Sequence, residues 1–448
     1  MSPTLLIFKP NSMVNRGKLS YELFAIIFMM TFFSFCSKTS TTTNNTSTLP
    51  IVSSPIVTTP IPLPKIVYSG KTSYALKTPQ TVVDIDPIRT ILGIRNIGVY
   101  SGNNNLGFVY VDMNHDGLED IFYPYSSDGN IITKSNVLIN KGNGVYALDS
   151  SMFPSNFLGT TTTRKTVVGD FNNDSLPDIF MCNSGYEALT PGAGIGVGTW
   201  YLENCSMLLS NKNGAYTYKE FTELGKAFWH GAASGDLNGD GNMDIVVCGG
   251  GVPKALYGDG KGGFTISDIN TTISKDNGYI TVELVDVDKD GQCDVILSGD
   301  EGAPPPAYYS KSMILWNKKG NFNSNTVICE ANTNGWRSVM SIGCEDLDGD
   351  GNNEIILCRT GDNSGVWYGG YQINVYKQNS GFASFTDVTS TYFGSDNILR
   401  TTNTGKWMYQ MIMKKETDGL FSIYGYITNS EQYLQWKQNS SKLFVKIR

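Results

Sequence analysis

A nine-residue pattern recurs five times along this chain and constrains its fold more than any other feature. Each copy places Asp, Asn or Glu at positions 1, 3, 5 and 9, and Gly or Ser at position 6. The copies are DMNHDGLED from Asp112, DFNNDSLPD from Asp170, DLNGDGNMD from Asp236, DVDKDGQCD from Asp286 and DLDGDGNNE from Asp346. Oxygen ligands at this spacing are what a hard cation such as Ca²⁺ requires. The sequence therefore predicts about five calcium sites.

The predicted ligands are the side chains at positions 1, 3, 5 and 9 of each copy. They are Asp112, Asn114, Asp116, Asp120, Asp170, Asn172, Asp174, Asp178, Asp236, Asn238, Asp240, Asp244, Asp286, Asp288, Asp290, Asp294, Asp346, Asp348, Asp350 and Glu354. Five similar sites in a repeated framework favour a structural role for the metal. In the alternative, a loop leaves one coordination position open and presents its ion to a ligand, as calcium-dependent lectins do.

The residues around each copy exclude an EF-hand. An EF-hand needs a bidentate Glu at position 12 and a helix on each side. Position 12 is apolar or aromatic in every copy, namely Tyr123, Met181, Val247, Leu297 and Leu357. The flanks are β-branched and aromatic runs, such as FVYV and IFYP around the first copy, which are strand signals. Each copy is therefore predicted to be the turn of a β-hairpin.

A second hairpin signature follows each loop, and the whole unit repeats at intervals of roughly 60 residues. Examples are NVLINKGNGVY from Asn136 and SMILWNKKGNF from Ser312, each a strand, a Gly/Asn turn and a strand. Two hairpins in succession give four antiparallel strands, which is one blade of a propeller. The fold class predicted is all-β, a β-propeller of four-stranded antiparallel blades.

The number of blades depends on two further segments. MKKETDGLFSI resembles a sixth copy that has lost its metal, because Lys414 stands at position 1 and Ser422 at position 9. Residues 65–105 contain strand-like runs but no evident repeat, so they form either a degenerate seventh blade or a strand that closes the ring. With six repeats visible, we expect seven blades, with six as the alternative.

These loops and their flanking strands resemble the FG-GAP or VCBS repeats of integrin-α-type β-propellers. The resemblance runs from about residue 107 to the end of the chain and depends on the five intact loops. It implies a six- or seven-bladed propeller with one calcium ion per intact loop. It implies much less about function, because one fold serves many functions.

The first 64 residues are predicted to lie outside the fold, and residues 65–448 to form the propeller domain. Residues 1–36 have basic residues before an apolar run, Leu23 to Phe35, and end at Cys36. They resemble a bacterial lipoprotein signal, with Cys36 as the lipidated residue. The Ser/Thr/Pro-rich residues 37–64 are expected to be a disordered linker. This predicts an extracytoplasmic lipoprotein at the outer membrane or cell surface, anchored in the membrane, with a secreted or periplasmic protein as the alternative because Phe35 replaces the usual small residue.

A ligand is expected on the rim opposite the metal loops, where the innermost strands begin. Aromatic and basic residues precede several loops there or occupy the long connections. The predicted ligand-binding residues are Arg164, Trp200, Trp229, His230, Tyr279, Trp336, Arg337, Trp367 and Trp407. Flat rings with neighbouring polar groups suit sugar rings or an extended peptide. In the alternative, the aromatic residues are packing plugs between blades.

Three classes of function follow from the sequence. The first is a binding or adhesion module for a glycan or a protein. The second is a polysaccharide lyase-like enzyme that uses the same surface, and the third is a structural partner in a cell-envelope assembly. The chain contains no G-x-S-x-G, no H-E-x-x-H and no Gly-rich phosphate loop, so common hydrolase and metalloprotease classes are not indicated. The formal net charge of −7 does not favour nucleic acid as a partner.

Overall fold

The fold is described from a computed structural model in which all described residues belong to one compact unit, Pro62–Arg448. The described residues are 107–124, 135–188, 199–270, 272–274, 278–300, 310–330, 336, 338–361, 369–400, 406–427 and 433–448. The predicted signal, Cys36, the linker and residues 65–105 lie outside these ranges. Within them, no helix is both long enough and apolar enough to cross a membrane.

The described residues form six four-stranded antiparallel sheets, which are the blades of a propeller. Blade 1 contains β1 (Val109–Val111), β2 (Asp120–Tyr123), β3 (Asn136–Asn140) and β4 (Tyr146–Leu148). Blade 2 contains β5 (Thr163–Gly169), β6 (Asp178–Asn183), β9 (Ser206–Ser210) and β10 (Tyr216–Glu220), with a hairpin of β7 (Tyr186–Ala188) and β8 (Thr199–Tyr201) inserted between β6 and β9. Blade 3 contains β11 (Gly231–Gly235), β12 (Asp244–Cys248), β13 (Lys254–Gly258) and β14 (Phe264–Asp268).

The remaining three blades repeat this order. Blade 4 contains β15 (Tyr279–Val285), β16 (Asp294–Gly299), β17 (Ser312–Trp316) and β18 (Ser324–Cys329). Blade 5 contains β19 (Ser338–Glu345), β20 (Glu354–Thr360), β21 (Tyr371–Gln378) and β22 (Phe385–Asp387), with β23 (Ile398–Leu399) paired to β21. Blade 6 contains β24 (Met408–Lys415), β25 (Phe421–Ile427), β26 (Leu434–Gln438) and β27 (Phe444–Lys446). A 3₁₀ turn (Ser380–Phe382) and a short helix, α1 (Thr389–Tyr392), flank β22.

The hydrophobic core consists of six clusters, each between two neighbouring blades. The cluster that joins blade 6 to blade 1 is rich in aromatic residues: Phe108 and Tyr426 meet edge to face at 5.2 Å between ring centroids. The hydroxyls of Tyr110 and Tyr426 are 3.2 Å apart. The ring therefore closes by direct packing of blade 1 on blade 6. The predicted propeller fold is confirmed, and this closure agrees with six blades rather than seven.

Each predicted metal loop connects the first and second strands of a blade, as the sequence predicted. The sixth copy differs in its pairing, because Lys414 pairs with Ser422 and Lys415 with Phe421. Pairing therefore continues further into the hairpin than in blade 1, where it stops at Val111 and Asp120. This leaves only a short turn in place of the nine-residue loop.

Candidate functional site

The position-9 carboxylate of each loop holds its blade together through buried hydrogen bonds. One oxygen accepts the backbone N–H of loop position 2 in all five loops, at 2.7–3.0 Å. In the first four loops the other oxygen accepts a backbone N–H at or just past the end of the third strand, at 2.7–2.9 Å. These carboxylates have 0% exposure. In the first four loops, position 9 therefore ties the loop to the third strand.

The other three ligand positions fold the loop around a common centre. The position-1 carboxylate accepts the N–H of position 6, and the position-3 oxygen accepts the N–H of position 5. Position 6 has a positive φ in every loop, between 67° at Ser175 and 91° at Gly351. This left-handed backbone explains why Gly occupies position 6 in four of the five copies.

Burial perturbs the carboxylates at position 9. It raises the pKa of Asp120, Asp178, Asp244 and Asp294 to about 7, despite the lowering effect of their backbone hydrogen bonds. Burial also raises the pKa of Asp112 and Asp170 at position 1. A nearby cation would favour the ionised form of all these groups. The local electrostatics therefore suit a bound positive charge.

The donor chemistry of the loops fits calcium. Every side-chain donor is an oxygen, and in the fourth loop one carboxylate oxygen from each of Asp286, Asp288 and Asp290 lies within 4.8 Å of the others. The fifth loop groups Asp346, Asp348 and Glu354 in the same way. Side chains at positions 1, 3, 5 and 9 would hold the ion, and its charge would offset the repulsion among these carboxylates.

A second candidate site lies on the propeller axis, where the innermost strands of four blades share one irregularity. Their pairing with the second strand skips a residue at Arg164, Ile280, Met340 and Tyr409. Blade 3 has the same irregularity at His230. Its backbone N–H donates to the carbonyl of Cys248, and Cys248 is also the strand partner of the next residue, Gly231, so two residues oppose one. A β-bulge of this kind re-aims a side chain out of the regular alternation.

The five bulged residues line one cavity on the axis. Its volume is about 90 Å³, and its wall also includes Lys165, Thr281, Ser341 and Gln410. The bulges lie near the beginning of the innermost strands, whereas the metal loops follow the ends of those strands. The lining also includes Glu119 of the first metal loop, so the cavity extends along the axis from the bulges toward the loops.

His230 lines this cavity and has one ring nitrogen without a hydrogen bond. Its Nδ1 lies 2.9 Å from the carbonyl oxygen of Ile280, which can only accept, so Nδ1 carries the proton. Its Nε2 is buried and has no hydrogen-bond partner among the described residues. Burial, and next the charge of Arg164, lower the pKa of His230 to about 3. Nε2 is therefore a neutral acceptor across the physiological pH range.

The aromatic residues predicted at this rim occupy other places. Trp229, Tyr279 and Trp407 are 2%, 1% and 6% exposed and lie in the clusters between blades. Trp229 also donates its Nε1–H to the carbonyl of Gly225 at 2.9 Å. This geometry agrees with the packing interpretation for the three residues. Trp336 is also fully buried, with the guanidinium of Arg400 4.9 Å from its ring centroid.

Three other predicted ligand-binding residues cannot be placed. The Trp200 side chain, Arg337 and Trp367 lie outside the described part of the chain. The remaining two predicted residues, Arg164 and His230, do come together at the cavity. The Arg164 Nε–H donates to Ser184 Oγ at 2.9 Å, and its guanidinium lies 5.6 Å from the Phe228 ring centroid.

Sequence reasoning missed several functional candidates. Lys165 lines the cavity and pairs with the buried Glu283 at 3.0 Å, although they are far apart in the sequence. Lys377 contacts ligand carboxylates of the fifth loop. A signal existed for Lys377, because the copies in blades 5 and 6 share the tetrapeptide KQNS, beginning at Lys377 and Lys437.

Comparison with known families finds the FG-GAP-like repeat in two segments, residues 112–181 and 236–297. The first segment contains the first two loops, and the second contains the third and fourth. A search of curated proteins gave no significant match.

Several solved structures are similar to this chain at low sequence identity. An Agrocybe aegerita lectin that recognises non-reducing terminal N-acetylglucosamine is 17% identical, with 65% of this chain and 83% of the lectin covered and a TM-score of 0.34. The leech intramolecular trans-sialidase is 10% identical, with 81% and 73% covered and a TM-score of 0.42. The Ruminococcus gnavus intramolecular trans-sialidase is 10% identical, with 79% and 99% covered and a TM-score of 0.41. The repeat match and the blades together show that this chain carries FG-GAP-like repeats in a β-propeller.

Proposed function

We propose that this chain is a calcium-stabilised β-propeller that binds a glycan on the rim opposite its metal loops. The observation that carries the proposal is that His230 lines an axial cavity together with Arg164 and Lys165, while its buried Nε2 has no hydrogen-bond partner among the described residues. An unpaired buried polar atom costs free energy that a ligand hydroxyl would recover. Arg164, Lys165 and Glu119 line the same cavity, so charged groups of both signs are available to the hydroxyls of a glycan.

The cavity size limits what can enter. A volume of about 90 Å³ is well below that of a pocket for a whole drug-sized ligand. It suits one small polar group, such as part of a terminal sugar, with the rest of the glycan on the open rim. The walls consist of strands, so the groups that meet the ligand are held by the blade framework.

Calcium has a structural role in this proposal. Each ion would offset two of the negative charges on the three or four carboxylates in a turn between the first and second strands of a blade. Binding to the folded state alone raises stability by mass action. Because the loops lie on the opposite rim, the ions would stiffen the ring rather than touch the glycan.

A glycan-array screen of the protein in calcium, with His230→Phe and Lys212→Ala beside the wild type, tests the binding site. His230→Phe keeps an aromatic ring and removes the acceptor, so it should lose binding. Lys212 is exposed in the turn between β9 and β10 on the metal-loop rim, so Lys212→Ala should bind normally. Equal binding by all three proteins would refute the site, and binding of no glycan by the wild type would favour a protein ligand.

The polysaccharide lyase alternative receives less support from the geometry. A lyase needs a base that removes a proton near neutral pH. With a pKa lowered to about 3 by burial, His230 is a weak base. We therefore propose a binding module rather than a lyase.

We also propose that the protein is tethered outside the cytoplasm by a lipid on Cys36. The support is the sequence pattern of an apolar run followed by cysteine and a Ser/Thr/Pro-rich spacer. Metabolic labelling with a fatty acid should label the wild-type chain and leave Cys36→Ser unlabelled. Equal labelling of both chains, or none, would exclude lipidation at this residue.

A further inference from the structure

The fifth metal loop differs from the other four in what lies on its carboxylates. Lys377, on the third strand of blade 5, forms ion pairs with the ligand side chains at positions 3, 5 and 9. Its Nζ contacts Asp348, lies 2.8 Å from Oδ2 of Asp350 and lies 3.2 Å from Oε1 of Glu354. One ammonium group therefore contacts three of the four predicted ligands.

A hydroxyl group also reaches the same loop. Tyr392, in helix α1, is 3% exposed and donates its O–H to Oδ2 of Asp348 at 3.1 Å. That oxygen is also the one nearest Lys377. Two donors from this chain thus share the carboxylate that calcium would need at position 3, and calcium could take this oxygen only by displacing them.

Position 9 of the fifth loop is the only Glu among the five copies, and its outer oxygen is placed differently. In the other loops the second oxygen accepts a backbone N–H from the third strand. Oε1 of Glu354 is buried without a well-aligned hydrogen bond among the described residues, and its charged neighbour is Lys377. The longer side chain therefore exchanges a backbone hydrogen bond for an ion pair.

Blade 6 shows that an ammonium group can serve such a turn. Lys437 pairs with Ser422 in the strand register, and Lys377 and Glu354 lie just beyond the Ile355–Tyr376 pair of blade 5. Its Nζ lies 2.8 Å from Oδ2 of Asp418, in the copy that has no carboxylate at position 9. The same KQNS segment therefore supplies a cation to a turn that has lost two of its four metal-ligand positions.

The fourth loop provides an internal contrast. Lys318 contacts Asp288 at 3.3 Å and Asp290 at 3.0 Å, and its side chain is 58% exposed. Lys377 is 27% exposed and reaches the buried position 9 as well. Lys318 thus lies over the exposed side of the fourth loop, whereas Lys377 reaches the interior of the fifth loop.

We propose that Lys377 is a tethered cation that takes the place of calcium in the fifth loop, while the first four loops bind calcium. The inference rests on the proposed calcium function of those four loops. A tethered ammonium group has a high effective concentration and loses no translational freedom on binding. Calcium must displace this ammonium group to enter the fifth loop, which lowers the affinity of that loop for calcium.

Calcium stoichiometry tests the inference in the full chain, by equilibrium dialysis against radioactive calcium. At the lowest free calcium concentration that fills the first four loops, we expect four ions per chain for the wild type and five for Lys377→Met, which keeps an apolar stem and removes the charge. The fifth loop should gain about tenfold or more in affinity once three charge contacts are removed. Lys437→Met is the matched control and should bind four ions, because its turn lacks a position-9 carboxylate.

A second readout is thermal melting in EDTA. Lys377→Met should melt below the wild type, because Asp348, Asp350 and Glu354 lose their cation. Adding calcium should remove this difference in melting temperature. Lys377→Gln is an alternative variant if the methionine variant does not fold. Five ions in the wild type, or four in both proteins, would overturn the inference and leave the calcium sites in place. No bound ion in any variant would overturn the proposed calcium function, and this inference with it.

Discussion

Replacing Asp244 by Ala should destabilise the protein even when no calcium is present. Asp244 is fully buried and accepts the N–H groups of Leu237 and Gly258, each at 2.8 Å. Alanine leaves both N–H groups buried and unpaired, at about 1–3 kcal/mol each. The expected loss is therefore about 2–6 kcal/mol of unfolding free energy, out of about 5–15 kcal/mol for a typical domain.

The assay is urea unfolding in EDTA at about pH 6, below the pKa of about 7 that burial gives Asp244, because its contribution to calcium-free stability is larger there than at pH 8. Asp240→Ala is the matched control in the same loop. Asp240 is exposed, and its backbone partner Asn242 can turn to water, so this variant should stay within about 0.5 kcal/mol of the wild type. In calcium, each variant should also lose the stabilisation from one ion.

Equal unfolding midpoints for the two variants in EDTA would refute the reasoning. Such a result would mean that the buried hydrogen bonds of position 9 contribute nothing without metal. A loss that appears only in calcium would assign Asp244 a purely metal-binding role.

Two other predictions concern the core and pH. Trp229→Ala should lose about 3–5 kcal/mol of unfolding free energy and melt at a much lower temperature, because this side chain is 2% exposed between blades. Tyr201→Ala is the control at a 51% exposed position and should melt like the wild type. Similar melting of the two variants would contradict the packing role of Trp229. The position-9 Asp groups have pKa values of about 7 in the fold against a usual 3.8, so their contribution to calcium-free stability should fall as pH rises through 7. Calcium must displace the bound protons, so the gain in melting temperature on adding calcium should grow between about pH 5 and pH 8, and a gain independent of pH would contradict this linkage.

The blades and loops could be predicted from sequence because their interactions are local. Each loop is closed by bonds within nine residues, such as those from Asp112 to the N–H groups of Asp116 and Gly117. Runs of β-branched and aromatic residues on either side of each loop predict the flanking strands. The sixth blade was predictable for the same reason, and Lys414 and Ser422 stand there in place of ligand types.

The axial site was predicted only in part. Arg164 and His230 were predicted from the sequence, and both line the cavity. Trp229 and Tyr279, which directly precede the bulged residues His230 and Ile280, instead lie in the cores between blades. A β-bulge decides which of two neighbouring residues lines the cavity and which lies in the core. Regular alternation sets the face that each residue of a strand occupies, and the bulge shifts one residue toward the axis. Bulges leave little trace in the sequence, so a list of residues near the strand start could not distinguish lining from core.

The sequence by itself determined the repeating blade and the oxygen-rich loops, because spacing within nine residues fixes which side chains converge. Only the tertiary structure decided that the ring closes by packing of blade 1 on blade 6, that five bulged residues share one cavity, and that Lys377 lies among the carboxylates of the fifth loop. These arrangements join residues from distant parts of the chain. Their geometry depends on how whole sheets pack around an axis, and no local pattern encodes that.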